Sequence, residues 1–191
     1  MNKTTKPAPK KLKEPMLFLR TCSPKGVSRN GFVWPLKVGA KVTAPDWDPR
    51  PECGNGLHGL KDGQGDANLM DWSKDAVWIV FSSPDGVDLC GIWKVKTATI
   101  CAVGDRKTAT DFLIAAGRIG VHGSTATAGD GGTATAGYRG TATAGDRGSL
   151  IIYWWDGNRR RVEVAYVGEN GIKPNIKYRL NDEHKFEEVK V

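Results

Sequence analysis

The sequence predicts a mainly β (α+β) protein in two parts: a small N-terminal α+β domain, then a short β-solenoid closed by a β-hairpin cap. Three observations carry this. Thr-Ala-Thr-Ala-Gly recurs at a spacing of eight residues from Thr125, Thr133 and Thr141. The repeat ends in a block of large apolar residues, "SLIIYWW", followed by "DGN" and a second run, "RRRVEVAYV". Ahead of the repeat, apolar and β-branched runs such as "AVWIVFS" and "LCGIWKVKTATICAV" read as the central strands of a separate sheet.

A chain of 191 residues with 39% apolar content and 8% aromatics can build a real core, which excludes global disorder. The net charge of +7 points to nucleic acid only until it is located. Residues 1–15, "MNKTTKPAPKKLKEP", carry five Lys and one Glu, which is +4 and leaves +3 for the rest of the chain. Lys and Pro in that proportion predict a disordered basic leader, and a nucleic-acid partner is not expected. The leader lacks the apolar region of a signal peptide, and no stretch approaches the roughly 20 apolar residues of a membrane span. A cytoplasmic protein with no membrane partner is the expectation. Cys22, Cys53, Cys90 and Cys101 are scattered, with no C-x-x-C pair, which fits reduced thiols. The irregular spacing around Cys53 and His58 argues against zinc, and neither a metal nor a cofactor is predicted.

The N-terminal domain is placed at residues 16–107. "MLFLRT" reads as a strand, the turn-rich "SPKGVSRNG" comes next, and "FVWPLKVGAKVTAP" gives two short extended pieces limited by Pro35 and Pro45. "DWDPRPECGNGLHGLKDGQGD" reads as a long loop, the kind of segment that tends to carry function. "DANLMDW" is a candidate short helix with Asp66 as its N-cap. The connecting segment is placed at residues 108–123. The stretch "RKTATDFLIAAGRIG", which supplies most of it, reads as a short helix ended by Gly117, although Thr108-Ala-Thr110 also looks like a degenerate first copy of the repeat.

Residues 124–148 form the repeat. In an extended segment threonine and alanine point to opposite sides, so Thr125, Thr127, Thr133, Thr135, Thr141 and Thr143 make an outward ladder over inward alanines. Glycines 129, 132, 137, 140, 145 and 148 mark the corners where the chain must turn, and positive φ is expected at some of them. Eight residues make one strand and one corner, so two octads close a thin coil that admits only small residues. Thr125 then stacks over Thr141 on one face and Thr133 over Ser149 on the other, about 4.8 Å apart. A flexible linker has no reason to hold this phase, or to put Asp130, Tyr138 and Asp146 at equivalent corners. The cap, 149–191, begins as a hairpin turning at Asp156-Gly157, and "GENGIKPNIKYRLNDEHKFEEVKV" adds two short strands.

"AGDGGTAT", "AGYRGTAT" and "AGDRGSLI" resemble the octapeptide repeats of bacterial ice nucleation proteins. "GDRGSLIIYWWDGNRRRVEVAYVGENGIKPNIKYRL" is similar to that family's arginine-bearing last coils and C-terminal cap. The resemblance implies a β-solenoid whose threonine ladders order water, with arginine-rich coils and a cap that help molecules associate. The threonine surface here extends only about 10 Å along the stack, too little to template an ice nucleus. The first half resembles an uncharacterised phage or prophage domain through "FLRTC", Cys53, Gly56 and His58 of a C-x-x-G-x-H pattern, and "VGDRK".

Two groups of residues stand out as sites. His58 lies among glycines, and Arg20, Trp34, Asp46, Trp47 and His58 are candidates to line one ligand pocket, with His58 and Arg20 as the catalytic candidates if the protein is an enzyme. Arg139, Arg147, Arg159, Arg160 and Arg161 are candidates for a subunit contact with the acidic "NDEHKFEE" of a neighbouring cap. No P-loop, zincin or serine-triad motif is present. The expectation is a non-catalytic, phage- or prophage-type binding and self-association protein, a homo-oligomer through solenoid and cap, that acts on a host macromolecule such as a host protein. The alternatives are an ADP-ribosyltransferase-like, NAD-dependent enzyme using the His58 loop, and a weakly ice- or water-ordering solenoid.

Overall fold

The computed structural model describes residues 15–190. The predicted leader, apart from Pro15, lies outside them. The first half runs β1 (Met16–Cys22), β2 (Lys41–Thr43), β3 (Leu57–Lys61), β4 (Val77–Ser83), β5 (Val87–Asp88), β6 (Trp93–Val95), β7 (Thr97–Gly104) and α1 (Arg106–Ala115). The seven strands form one sheet in the order β2-β7-β4-β1-β3-β6-β5, every neighbouring pair antiparallel. Both faces are covered, which is why β1 and β4 are apolar without alternation. Leu17, Leu19, Trp78 and Val80 pack on one side with Ala109, Leu113 and Val121; Phe18, Ile79 and Phe81 pack on the other with Trp34 and Val95. Between the pairs Val80↔Ala102 and Phe81↔Ile100 the β4–β7 register slips at Cys101. That bulge lets Ile100 and Ala102 enter different cores although both are even-numbered.

Asp105 caps α1 by accepting from Thr108 N at 2.8 Å. The helix ends as its composition predicts: Gly117 turns left-handed (φ 77°) and Arg118 N reaches Leu113 O at 2.9 Å. Thr108 and Thr110 therefore lie in a helix and not in a first coil. A 3-10 turn at Ala67–Leu69 has Asp66 as its cap.

The second half runs β8 (Thr125–Ala128), β9 (Thr133–Ala136), β10 (Thr141–Ala144), β11 (Ser149–Trp155), β12 (Arg160–Tyr166), β13 (Tyr178–Leu180) and β14 (Phe186–Glu188). β8 and β10 stack in parallel with Thr125 over Thr141; β9 and β11 do the same with Thr133 over Ser149. The Thr141 hydroxyl lies 3.3 Å from that of Thr125. Ala134, Ala136, Ala142 and Ala144 fill the interior with Leu150 and Ile152. At the C-terminal end the hairpin strand β12 covers β11, and β13 covers β10 with Tyr178 opposite Ala142.

The corners differ from expectation. Positive φ falls on Gly131, Arg139 and Arg147, the third residue of each corner, and on none of the six glycines, some of them expected to carry it. Five of those glycines, all but Gly129, answer to space: a Cβ on Gly137 would sit 2.5 Å from Gly120 O, and one on Gly145 2.2 Å from Asp130 Oδ1. The latter oxygen accepts from Asp146 N at 2.9 Å, a rung of the corner ladder.

The coil begins one corner earlier than the repeat suggests. Val121, His122 and Gly123 stand sixteen residues before Gly137, Tyr138 and Arg139, and bond to them through Gly137 N to Val121 O and Gly123 N to Tyr138 O. His122 Nδ1 accepts from Tyr138 N at 3.1 Å, which leaves Nε2 to donate to Gly65 O at 3.0 Å. One buried imidazole thus ties the first coil to the loop after β3.

This packing has two measurable consequences. Ala142 is fully buried in a coil with no room for a longer side chain, so Ala142→Leu should destabilise by about 1–3 kcal/mol in denaturant unfolding. Burial lowers the His122 pKa from 6.5 to about 4. The unfolded chain then binds a proton that the folded chain does not, so the stabilisation is complete above the unfolded value and is lost as pH falls toward the folded one. Its size is about 3 kcal/mol. Unfolding measured from neutral pH down to pH 4 should show this loss in the wild type and a shallower slope in His122→Gln; equal slopes would refute the assignment.

Candidate functional site

The first candidate site arises from a gap in the sheet. β1 and β3 pair only at Phe18↔Lys61 and Leu19↔Leu60, while β1 stays paired to β4 as far as Cys22↔Val77. Beyond Leu19 the two strands part, and a cleft of about 800 Å³ opens between Leu19–Ser23 and Gly56–Leu60. Arg20 spans the gap and donates from Nη1 to His58 O at 3.0 Å, in place of a ladder bond.

Arg20, Trp34, Asp46 and His58 all border this cleft. Trp47 does not: its ring lies behind Gly56, and the buried Lys94 ammonium sits 6.0 Å above it. His58 stands on strand β3 and not in a loop, because Leu57 and Leu60 anchor that segment in opposite cores. Its Nδ1 lies 3.1 Å from Gly56 O and its Nε2 is buried without a partner. Desolvation chiefly, and then the Arg20 cation, lower the His58 pKa, so the ring is neutral. The Arg20 guanidinium lies 4.3 Å from the Trp34 ring centre, a cation–π contact within a largely buried setting. Burial raises the Cys22 thiol pKa, against the pull of Arg20 beside it, which makes Cys22 a poor nucleophile at neutral pH.

The walls of the cleft also include residues the sequence did not mark: Phe32, Leu69, Asp71, Trp72 and Ile92. They come from several separate segments. Three of them, Leu69, Asp71 and Trp72, lie in the candidate helix "DANLMDW".

The arginines of the second half divide by partner. Arg139 lies 5.1 Å from the Trp72 ring centre and so covers the first half with its guanidinium. Arg160 stacks on Tyr153 at 4.1 Å and bonds to Gln64. Arg161 pairs with Asp156, whose pKa is lowered to about 2, first by backbone donors from Arg159 and Asn158 and then by Arg161. Among the described residues Arg147 and Arg159 have no ion pair. The acidic C-terminal stretch is engaged within its own chain: Glu183 by Lys185, Glu187 by Arg179 and Glu188 by Lys173.

The threonines point outward as a pair of short flat faces, with Thr125, Thr127 and Thr133 exposed and Thr135, Thr141 and Thr143 half-buried. The second face continues beyond them. Thr133 and Thr135 neighbour Ser149 and Ile151 on β11, which neighbour Tyr166 and Val164 on β12. Val162, Val164 and Tyr166 are 47%, 46% and 54% exposed, high values for three apolar side chains on one face of one strand. Among the described residues β12 pairs only with β11, so its outer edge is open.

Compared with curated proteins, the chain is 32% identical over 106 residues to an ice nucleation protein of Xanthomonas campestris pv. translucens. It is 37% identical over 103 residues to ice nucleation proteins of Pseudomonas syringae and Pseudomonas syringae pv. syringae. These matches take in 52–53% of this chain and only 7–8% of those proteins, so the chain spans less than a tenth of their length. No family model matches, and no solved structure matches. The comparisons support the ice-nucleation-like resemblance and lend none to the phage resemblance of the first half. Among the described residues no helix is long and apolar enough to cross a membrane.

Proposed function

We propose that this protein is a non-catalytic binding and self-association module, in which the cap hairpin docks onto a second copy of the chain. The observation that carries the reading is β12, an edge strand whose outer side pairs with no other strand among the described residues and which holds Val162, Val164 and Tyr166 to solvent. An exposed apolar edge of this kind is a template for pairing with another strand. Antiparallel pairing of β12 with its own copy about Val162 sets Arg161 of each chain across from Glu163 of the other. It also extends the three-stranded sheet through a two-fold axis. The arginine-to-acid contact expected from the sequence is less favoured as the driving term, because Arg160, Arg161 and the C-terminal glutamates have partners within the chain.

A second reading, weak ordering of water by the threonine faces, is favoured by the name the relatives share. Size opposes it, since two stacked strands per face offer a ladder of two rungs.

Light scattering at matched concentrations should give a dimer or larger species for the wild type and a monomer for Val164→Lys, which charges the exposed face without touching the core. A wild type that is monomeric throughout would sink the proposal. In a droplet-freezing assay the chain should freeze with buffer; a clear rise in freezing temperature would favour the water-ordering reading.

A further inference from the structure

The cleft between β1 and β3 holds a charge that no carboxylate balances. Arg20 makes no ion pair among the described residues. Its Nε is buried and unpartnered, and burial is the main reason its pKa is lowered. A cation taken out of water without a counter-ion is costly, and an anion placed beside it recovers that loss. Neither acid at the cleft forms an ion pair with Arg20: Asp46 accepts from Gly56 N at 3.0 Å, and Asp71 accepts from Ser73 N and Oγ at 2.9 and 2.7 Å. Arg29, at the cleft wall, is offset by Asp71, whose pKa it helps to lower, which leaves Arg20 as the uncompensated cation.

His58 supplies a complementary need. With Nδ1–H directed at Gly56 O, its Nε2 is a bare acceptor, buried and without a donor. A buried cation and a buried lone pair in one cleft call for a ligand with an anionic oxygen and a hydrogen-bond donor close to it. Some 800 Å³ of space, walled in part by Phe32, Leu69 and Ile92, suits an organic body beyond the charged head.

We propose that this cleft binds a small organic anion, a hydroxy-carboxylate or a phosphate monoester. Its charged oxygens sit on Arg20, its donor, the α-hydroxyl of the hydroxy-carboxylate or the P–OH of the monoprotonated phosphate, bonds to His58 Nε2, and its apolar part rests against Phe32 and Leu69. The site is independent of the β12 edge, so failure of either reading leaves the other standing.

The test is titration of the full chain with mandelate, phenyl phosphate, inorganic phosphate and neutral benzyl alcohol, monitored by calorimetry and by NMR of the His58 ring and the Trp34 indole. Mandelate or phenyl phosphate should bind saturably and shift both resonances, and benzyl alcohol should not. Binding of mandelate alone identifies a carboxylate ligand, and binding of phenyl phosphate, with or without inorganic phosphate, identifies a phosphate ligand. Arg20→Gln should weaken the bound anion at least tenfold. Leu69→Glu, at an exposed wall position, should weaken it as well and does not depend on the core tolerating change. The proposal falls if neither organic anion saturates, if both bind Leu69→Glu as tightly as wild type, or if the shifts map away from His58 and Trp34.

Discussion

The thinness of the coil is the constraint on which the rest of the second half depends. With sixteen residues per turn and alanine inside, each inward position buries a single methyl group. That contributes about 0.8 kcal/mol, less than the 1–2 kcal/mol that fixing one residue's backbone costs. Such a coil holds its shape only when something larger grips both ends. At the C-terminal end, Leu150, Ile152, Ile172 and Tyr178 supply the bulk that alanine lacks. At the other end the grip comes from the first half, through His122 to Gly65, Arg139 over Trp72 and Tyr153 against Gly120.

The same constraint shapes the corners. Backbones that stack in register approach so closely that a Cβ on Gly137, Gly140, Gly145 or Gly148 would collide with a neighbouring backbone or side-chain atom. The left-handed turn residue faces outward and is free to be arginine, at an expense of about 1 kcal/mol in backbone strain. For Arg139 the return is visible, because its guanidinium covers Trp72. Nothing in the structure explains the choice at Arg147.

In the first half the governing fact is a sheet that comes apart at one seam. β4 and β1 are fully paired, yet β3 leaves β1 after two residue pairs. An arginine and a histidine, which a continuous sheet would have pushed to its surfaces, instead meet across the gap. The exposed face of β12 is a separate feature with a separate cause. The hairpin that closes the solenoid creates a new edge in doing so, and no further strand among the described residues covers it.

Much of the fold was legible in the sequence. The octad phase alone implied the stacking of Thr125 on Thr141 and of Thr133 on Ser149, because side chains alternate along a strand and the repeat leaves a single register. Asp66 as a cap, Gly117 as a helix stop and the Asp156-Gly157 turn were equally local matters, each set by a residue's own backbone preferences. Other features were out of reach. His122 lies in the segment read as a connector, and its bond to Gly65, which makes it a corner residue tied to the first half, joins positions 57 residues apart. His58 looked like a loop residue because its glycine neighbours dominate the local pattern; leucines that pack into two distant cores make it a strand. The cleft that brings Arg20 and His58 together, and leaves Trp47 outside, depends on where two strands stop pairing. That is decided by packing on both faces of the sheet, and no local run of residues encodes it.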